Sequence, residues 1–171
     1  LVKEVTKRNI SGMEGLIGVP GTLGGALVMN AGAYGKEISN LFESATVLTS
    51  EGEEKKYKKD DINFSYRYST FPKDEILIEA DFKGFTRKSE DIKHEKLSAS
   101  KKRRASQPLK FRSAGSIFKN PSDLMAAGYL IDKVNLKGEY FGEAQISEKH
   151  ANWIVNKGGA KATDVMKLIK L

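Results

Sequence analysis

The chain has 171 residues, enough for one domain or for two small domains that each bury a hydrophobic core. It contains no cysteine, which excludes disulfides and thiolate metal sites and is typical of proteins in a reducing cytoplasm. The net charge of +7 suits nucleic acid, anionic lipid or phosphorylated small molecules, although surface solvation explains most of the lysines more simply. No apolar run reaches the length of about 18 residues that indicates a transmembrane helix.

Residues 1–9 predict an amphipathic helix with Leu1, Val2 and Val5 on its apolar face. The first residue is Leu, and the last residues still follow a helical pattern. We therefore expect further sequence before Leu1 and after Leu171.

A glycine-rich stretch, residues 15–35, follows the first predicted helix, and seven of its 21 residues are glycine. Such density indicates a backbone that turns sharply, adopts positive φ or lies directly against something. One interpretation is a tight loop and a closely packed helix; the other is a cradle of backbone N–H groups for a cofactor's phosphates. A Walker A loop is excluded because Asn30 and Glu37 occupy two of its required positions, and no Gly-x-Gly of a dinucleotide fingerprint occurs. The residues alone leave both interpretations open.

Residues 43–59 predict a β-hairpin closed by a turn at 50–53, and residues 75–82 predict a strand. The alternating apolar residues of that strand are Ile76, Ile78, Ala80 and Phe82. Between them, residues 60–71 place Arg67 among four aromatic residues. Such an arginine either stacks as a structural residue or clamps an anion in a partly dry pocket, and the residues do not decide between these.

Residues 88–105 predict a helix with Ser89 as its N-cap, acidic residues in its first turn and the basic cluster 101–104 in its last. The cluster fits phosphate contacts, but a helix end matched to the macrodipole is the favoured interpretation. No helix-turn-helix pattern or zinc-ligand set accompanies it, which disfavours a nucleic-acid-binding module.

Ser116 lies in a small, turn-prone segment, where a serine is ordinarily a turn residue. Ser122 is predicted to cap a helix that continues to Val134, with Leu124, Met125, Leu130 and Ile131 on its apolar face. Residues 148–155 predict a short helix that runs into a strand, with Trp153 in the core.

Thr163 is predicted to cap the final helix, whose inward residues are Val165, Leu168 and Ile169. The two histidines, His94 and His150, have no ligand-spaced partner, so no metal site is predicted.

Several strings, taken together, resemble the UDP-N-acetylenolpyruvoylglucosamine reductases, flavoenzymes that make a peptidoglycan precursor. The strings Gly-Val-Pro-Gly-Thr-Leu-Gly-Gly-Ala and Met-Asn-Ala-Gly-Ala-Tyr-Gly look like the flavin-binding loop of that family. Similar motifs follow in order at residues 66–69, 114–121, 135–138 and 144–152. The short distance from Arg67 to Ser116 resembles the subgroup that lacks a tyrosine-bearing insertion.

The resemblance implies an α+β protein, with part of a vanillyl-alcohol-oxidase-type FAD-binding domain at residues 1–97 and a small α+β substrate-binding domain at 98–171. The family's N-terminal flavin subdomain and a catalytic glutamate would lie outside the chain. The chain by itself is therefore expected to bind FAD weakly and to turn over poorly.

Site residues are also implied by the resemblance. Arg67 corresponds to a catalytic arginine, and Ser116 corresponds to the proton donor. The implied cofactor-binding residues are Gly18, Pro20, Gly21, Thr22, Gly24, Gly25, Asn30, Ala31 and Gly32. The implied substrate-binding residues are Arg67, Arg104, Asn120 and Gln145. The family often has a lysine just before Gln107-Pro108, where this chain has Ser106.

The implied cofactors are FAD and NADPH, and the implied substrate is a UDP-linked amino sugar with an enolpyruvyl ether, reduced to UDP-N-acetylmuramate. We expect a cytoplasmic monomer with no nucleic-acid or membrane partner. One alternative is another flavoenzyme of the same fold. A basic nucleic-acid-binding module is a second alternative, resting on the net charge and on residues 101–104, but it leaves residues 15–35 unexplained.

Overall fold

The computed structural model describes all residues, Leu1–Leu171, and the chain divides into two compact units, Leu1–Lys101 and Lys102–Leu171. The division falls inside a long helix, so the domain boundary expected between residues 97 and 98 stays a prediction. Helices and short antiparallel strands are mixed throughout, which confirms the predicted α+β class. None of the helices combines the length and apolarity needed to cross a bilayer.

Five α-helices, three short 3₁₀ helices and twelve strands make up the two units. The α-helices are α1 (Val2–Lys7), α2 (Leu23–Val28), α3 (Ser89–Ser106), α4 (Ala127–Lys133) and α5 (Ala162–Lys170). The strands of the first unit are β1 (Ile10–Ser11), β2 (Gly32–Ala33), β3 (Lys36–Glu37), β4 (Phe42–Leu48), β5 (Glu54–Lys58), β6 (Phe64–Ser65), β7 (Tyr68–Ser69), β8 (Ile76–Phe82) and β9 (Phe85–Thr86). Those of the second unit are β10 (Tyr140–Phe141), β11 (Ala144–Ile146) and β12 (Ile154–Asn156).

The core of the first unit lies on an antiparallel sheet with the strand order β5-β4-β8, which includes the predicted hairpin. Phe42 at the start of β4 is completely buried. Three phenylalanines meet its ring edge to face, Phe64 at 5.3 Å, Phe71 at 5.9 Å and Phe82 at 6.4 Å between ring centroids. Edge-to-face pairs place the positive ring edge on a negative ring face, so this cluster stabilises the unit beyond its buried area.

Strand β8 exists where predicted, but its alternating apolar residues do not all lie on the buried face. Leu77 and Ala80 pack against the core, whereas Ile76 and Ile78 are more than half exposed. The pairing with β4 shifts between Thr46 and Val47, so Ile78 is an extra residue on β8. Such a bulge reverses the faces of the residues on one side of it.

The helices predicted at residues 1–9 and 88–105 are confirmed as α1 and α3. Val2 packs against the core, but Leu1 precedes α1 and is exposed. In α3 the first turn carries Glu90 and Asp91 and the last turn carries Arg103 and Arg104, the order that the helix dipole favours.

The core of the second unit lies between α5 and an antiparallel sheet with the order β10-β11-β12. Leu168 is buried there, and Val165 and Ile169 pack beside it, as predicted. The predicted cap at Thr163 is wrong, because α5 begins at Ala162 and the backbone N–H of Lys161 donates to Asp164 Oδ2 at 3.0 Å.

The helix predicted from Ser122 is also wrong in its first turn and a half. Ser122 and Met125 form a turn, and α4 begins only at Ala127, whose backbone N–H donates to Asn120 Oδ1 at 3.1 Å. Leu124 is therefore exposed rather than packed on a helix face.

No helix forms at residues 148–155. The Ser147 hydroxyl accepts the backbone N–H groups of Lys149 at 3.1 Å and His150 at 3.4 Å and closes a turn instead. Trp153, predicted to lie in the core, is half-buried.

Removing the central ring of the aromatic cluster should destabilise the first unit strongly. We expect Phe42→Ala to lower the free energy of unfolding by about 3–5 kcal/mol, because it leaves a cavity between three other rings. Urea unfolding followed by circular dichroism measures the loss. The control is Ile78→Ala on the exposed side of the bulge, and an equal loss in both variants would contradict the role given to Phe42.

Candidate functional site

The glycine-rich loop forms one wall of a cleft of about 350 Å³ in the first unit, with the start of α1 as another wall. Gly18 and Gly21 have φ values of +76° and +126°, a region that L-residues rarely adopt. A side chain at Gly21 would meet nothing within 4 Å, so glycine is required there by backbone conformation and not by crowding. Five of the predicted cofactor-binding residues line this cleft: Gly18, Pro20, Gly21, Thr22 and Ala31.

Two further predicted cofactor glycines, Gly24 and Gly25, lie on α2 and serve its packing and capping. Thr22 is the N-cap of α2, and its hydroxyl accepts the backbone N–H of Gly25 at 3.1 Å. Gly24 lies against β8, where an added Cβ would be 3.5 Å from Leu77 Cβ. The interpretation as a tight loop followed by a closely packed helix therefore describes this half of the stretch.

Asn30, another predicted cofactor residue, is fully buried and has φ +43°. Its side-chain Nδ2 donates to Glu37 Oε2 at 2.8 Å and to the carbonyl of Ser65 at 3.0 Å. Its Oδ1 accepts the backbone N–H of Ser39 at 3.4 Å. The amide therefore joins the end of the glycine-rich stretch to two other segments of the unit.

Arg67 lies at the turn between β6 and β7 with φ +54°. Its guanidinium donates to the carbonyl of Gly32 at 2.7 Å and to that of Asn30 at 3.4 Å. The ring of Tyr66 lies 4.9 Å from the Arg67 Cζ. The structure thus brings together the predicted catalytic arginine and two predicted cofactor residues, Asn30 and Gly32.

Sequence analysis did not identify Glu14, which precedes the glycine-rich loop and is fully buried. Its Oε2 accepts the backbone N–H of Gly12 at 2.8 Å. Burial raises the pKa of Glu14, but the nearby Ser11 hydroxyl, backbone N–H groups and the positive charge of Arg87 together hold it below its ordinary value. A buried ionised carboxylate therefore holds the chain just before the cleft.

Ser116 lies in the second unit, directly after Gly115 with φ +96°, and is exposed. The segment forms no regular strand there. Its pairing is an isolated antiparallel bridge between Ser116 and Trp153, and the backbone N–H of Ile117 donates to the carbonyl of Asn152 at 2.9 Å. The serine is therefore carried on a short backbone segment whose direction depends on residues 152 and 153.

The three predicted substrate residues of the second unit occupy different places. Asn120 caps α4 through its Oδ1. Gln145 on β11 donates to the carbonyl of Gly138 at 2.9 Å and lines a cleft of about 310 Å³ that Lys110 and Lys149 also line. Arg104 is exposed in the last turn of α3.

The basic end of α3 has a structural partner in the same unit. Lys149 Nζ donates to the backbone carbonyl of Arg104 at 2.6 Å. A cation at the C-terminal carbonyls of a helix offsets the macrodipole, which agrees with the dipole interpretation of residues 101–104. Ser106, where the family often has lysine, is exposed and donates its hydroxyl to the carbonyl of Lys102 at 3.0 Å.

Comparison with known proteins gives one family. Residues 107–171 match the family model for the C-terminal domain of UDP-N-acetylenolpyruvoylglucosamine reductase. The enzyme of that name from Agathobacter rectalis is 45% identical over 168 residues, which are 98% of this chain and 53% of that protein. The Listeria monocytogenes enzyme is 46% identical over 168 residues, which are 98% of this chain and 56% of that protein.

A solved structure is similar over the same extent. The crystal structure of UDP-N-acetylenolpyruvylglucosamine reductase from Thermus caldophilus superposes with a TM-score of 0.92 at 38% identity, covering 99% of this chain and 62% of that one. The chain spans about half the length of the curated relatives it matches.

Replacing the buried carboxylate should produce a pH-dependent loss of stability. Because the pKa of Glu14 is lower in the folded protein, its contribution is complete above pH 4.5 and is lost as the pH falls through the folded value. We expect Glu14→Gln to cost about 1–3 kcal/mol at pH 7, because the amide places donors among donors, and to cost less below pH 4.

Urea unfolding at pH 7 and pH 3.5 measures both values. The matched control is Glu53→Gln, at the exposed turn between β4 and β5. A Glu14→Gln loss that does not change with pH would show that the charge contributes nothing.

Proposed function

Because the chain belongs to the UDP-N-acetylenolpyruvoylglucosamine reductase family, we propose that the protein containing it reduces UDP-N-acetylglucosamine enolpyruvate to UDP-N-acetylmuramate, with FAD and NADPH. The product is a peptidoglycan precursor. The observation that carries the proposal is the anchoring of Arg67 on the glycine-rich stretch through the Gly32 carbonyl. This hydrogen bond connects the motif at residues 66–69 with the glycine-rich stretch, and the resemblance to the family rests mainly on these two motifs. A cytoplasmic location belongs to the same proposal and rests on the absence of cysteine.

The cleft beside the glycine-rich loop fits part of a flavin site. Its lining is mainly apolar, and the backbone is uncovered at Gly21, where an added Cβ would meet nothing within 4 Å. A ligand can therefore approach the loop's main chain closely, as flavin phosphates or a ring edge require. When bound, FAD would accept hydride from NADPH and supply it to the enolpyruvyl C3.

Arg67 is proposed to stabilise the substrate carboxylate. Hydride addition to an enol ether leaves negative charge that the attached carboxylate can share, and a guanidinium beside that carboxylate lowers the energy of the charged species. The carbonyls of Gly32 and Asn30 hold the guanidinium in place before substrate arrives. A charge that is already oriented costs little reorganisation during the reaction.

Ser116 is proposed to deliver the proton to C2 of the substrate. Its exposure leaves the hydroxyl accessible to a ligand, and Gly115 before it gives the turn that presents the side chain. A hydroxyl is a weak acid, so the transfer needs a well-fixed geometry relative to the carbon. Asn120, four residues later, and Gln145 are proposed as substrate contacts, with Arg104 contacting the diphosphate.

The proposed flavin site is tested by restricting the backbone conformation at Gly21, which lines the cleft. We expect Gly21→Ala to weaken FAD binding, because alanine is strained at φ +126° and the loop must move to relieve the strain. FAD affinity is measured by fluorescence titration in the whole protein that contains these residues. Gly52→Ala, with φ +82° and open space at the β4–β5 turn, carries similar strain away from the cleft. Equal affinities for both variants would remove the loop from the flavin site.

The assignment of Ser116 as the proton donor predicts different effects on the two half-reactions, flavin reduction by NADPH and flavin reoxidation by the substrate. We expect Ser116→Ala to leave flavin reduction by NADPH unchanged and to slow reoxidation by the enolpyruvyl substrate by about 10²–10⁴-fold, because only the second step needs the proton. Stopped-flow absorbance of the flavin follows both steps. Ser122→Ala, an exposed serine in the same stretch, is the control. Reoxidation at the parental rate in Ser116→Ala would contradict the assignment, and a parent that the substrate does not reoxidise would contradict the proposed function.

A further inference from the structure

The side chain of Asn152 pairs with the backbone of the Ser116 segment. Asn152 is only 3% exposed, so both ends of its amide require partners inside the protein. Its Oδ1 accepts the backbone N–H of Phe118 at 2.9 Å, and its Nδ2 donates to the carbonyl of Phe118 at 2.8 Å. The amide thus takes the place of a strand residue opposite Phe118.

This pairing matters because the backbone around Ser116 has little other support. The residues before it are small, Gly115 has positive φ, and the bridge to Trp153 is isolated. Asn152 adds three hydrogen bonds just after the serine: two through its side chain to Phe118 and one through its carbonyl to the N–H of Ile117. One residue therefore fixes both the position and the direction of the chain leaving Ser116.

Asn152 is itself held from two sides. Its backbone N–H donates to His150 Nδ1 at 3.3 Å, and burial lowers the pKa of His150, so this nitrogen remains an acceptor at neutral pH. Gly128 of α4 closes over the turn, since a Cβ there would be 3.1 Å from His150 Cε1 and 3.5 Å from Asn152 Cβ. The contacts that support the Ser116 segment therefore continue into a helix.

We propose that Asn152 is a positioning residue for proton transfer, which orients the Ser116 hydroxyl by pairing its buried amide with the backbone of Phe118. The inference rests on the proposed function for the identity of the step that Ser116 serves. Proton transfer to carbon depends steeply on the placement of the donor, so a small rotation of this segment slows that step. Flavin reduction by NADPH does not use Ser116 and is unaffected.

Two substitutions test the role in the whole protein that contains these residues. Asn152→Asp keeps an acceptor for the Phe118 N–H but sets an oxygen against the Phe118 carbonyl, and Asn152→Ala removes both bonds. We expect reoxidation by the enolpyruvyl substrate to slow by about tenfold or more in each variant, with reduction by NADPH unchanged. The matched control is Asn156→Ala in the same sheet, whose Oδ1 accepts the N–H groups of Gly158 and Ala160.

Hydrogen exchange supplies a readout that does not depend on flavin chemistry. The amide of Phe118 should exchange faster in Asn152→Ala, which removes its acceptor, than in the parent, and it should not change in Asn156→Ala. Equal slowing of both half-reactions, or an unchanged reoxidation rate in a folded variant with faster Phe118 exchange, would overturn the positioning role. A parent protein that the enolpyruvyl substrate does not reoxidise would overturn the proposed function, and the positioning role with it.

Discussion

The first unit depends on how the carbonyl groups of its glycine-rich stretch are satisfied while its backbone remains open to a ligand. Val28 ends the short helix α2 and Gly32 lies in the two-residue strand β2, so regular structure pairs few of these groups. Side chains from elsewhere donate instead: Arg67 to Gly32 and Asn30, and the Ser69 hydroxyl to Val28 at 2.8 Å. The hairpin β6–β7 supplies both donors, so one element fixes the loop and carries the proposed catalytic cation.

In the second unit, asparagine side chains satisfy backbone groups of a segment that has little regular structure. The segment from Gly115 to Asn120 has almost no regular structure, and buried or capping asparagine side chains complete its hydrogen bonding. Asn152 pairs with Phe118, while Asn120 ends the segment by capping α4. An asparagine carries one donor and one acceptor group in a short, stiff side chain, so it can replace a backbone partner at a point where no strand is available.

Several features were predictable because they depend on local sequence. The hairpin of β4 and β5, the strand β8, helix α3 with its charged ends and the inward face of α5 follow from periodicity and capping rules that act within a few residues. The helix predicted at Ser122 failed because Asn120 provides the cap further along, and the exposed Ile78 results from a bulge that only the pairing with β4 defines. Local rules contain no information about such partners.

For the candidate site, the sequence by itself determined which residues carry the motifs: the glycines of residues 15–35, Arg67 and Ser116. Glycine at residues 18, 21 and 115 permits the positive φ found there, a conformation that costs most other residue types strain. Only the tertiary structure decided that Arg67 is held by the glycine-rich stretch, that the Glu14 carboxylate is buried beside the Gly12 N–H and that Asn152 supports the Ser116 segment. These contacts join residues 34 to 37 positions apart, or depend on complete burial, and both are set by how the chain packs.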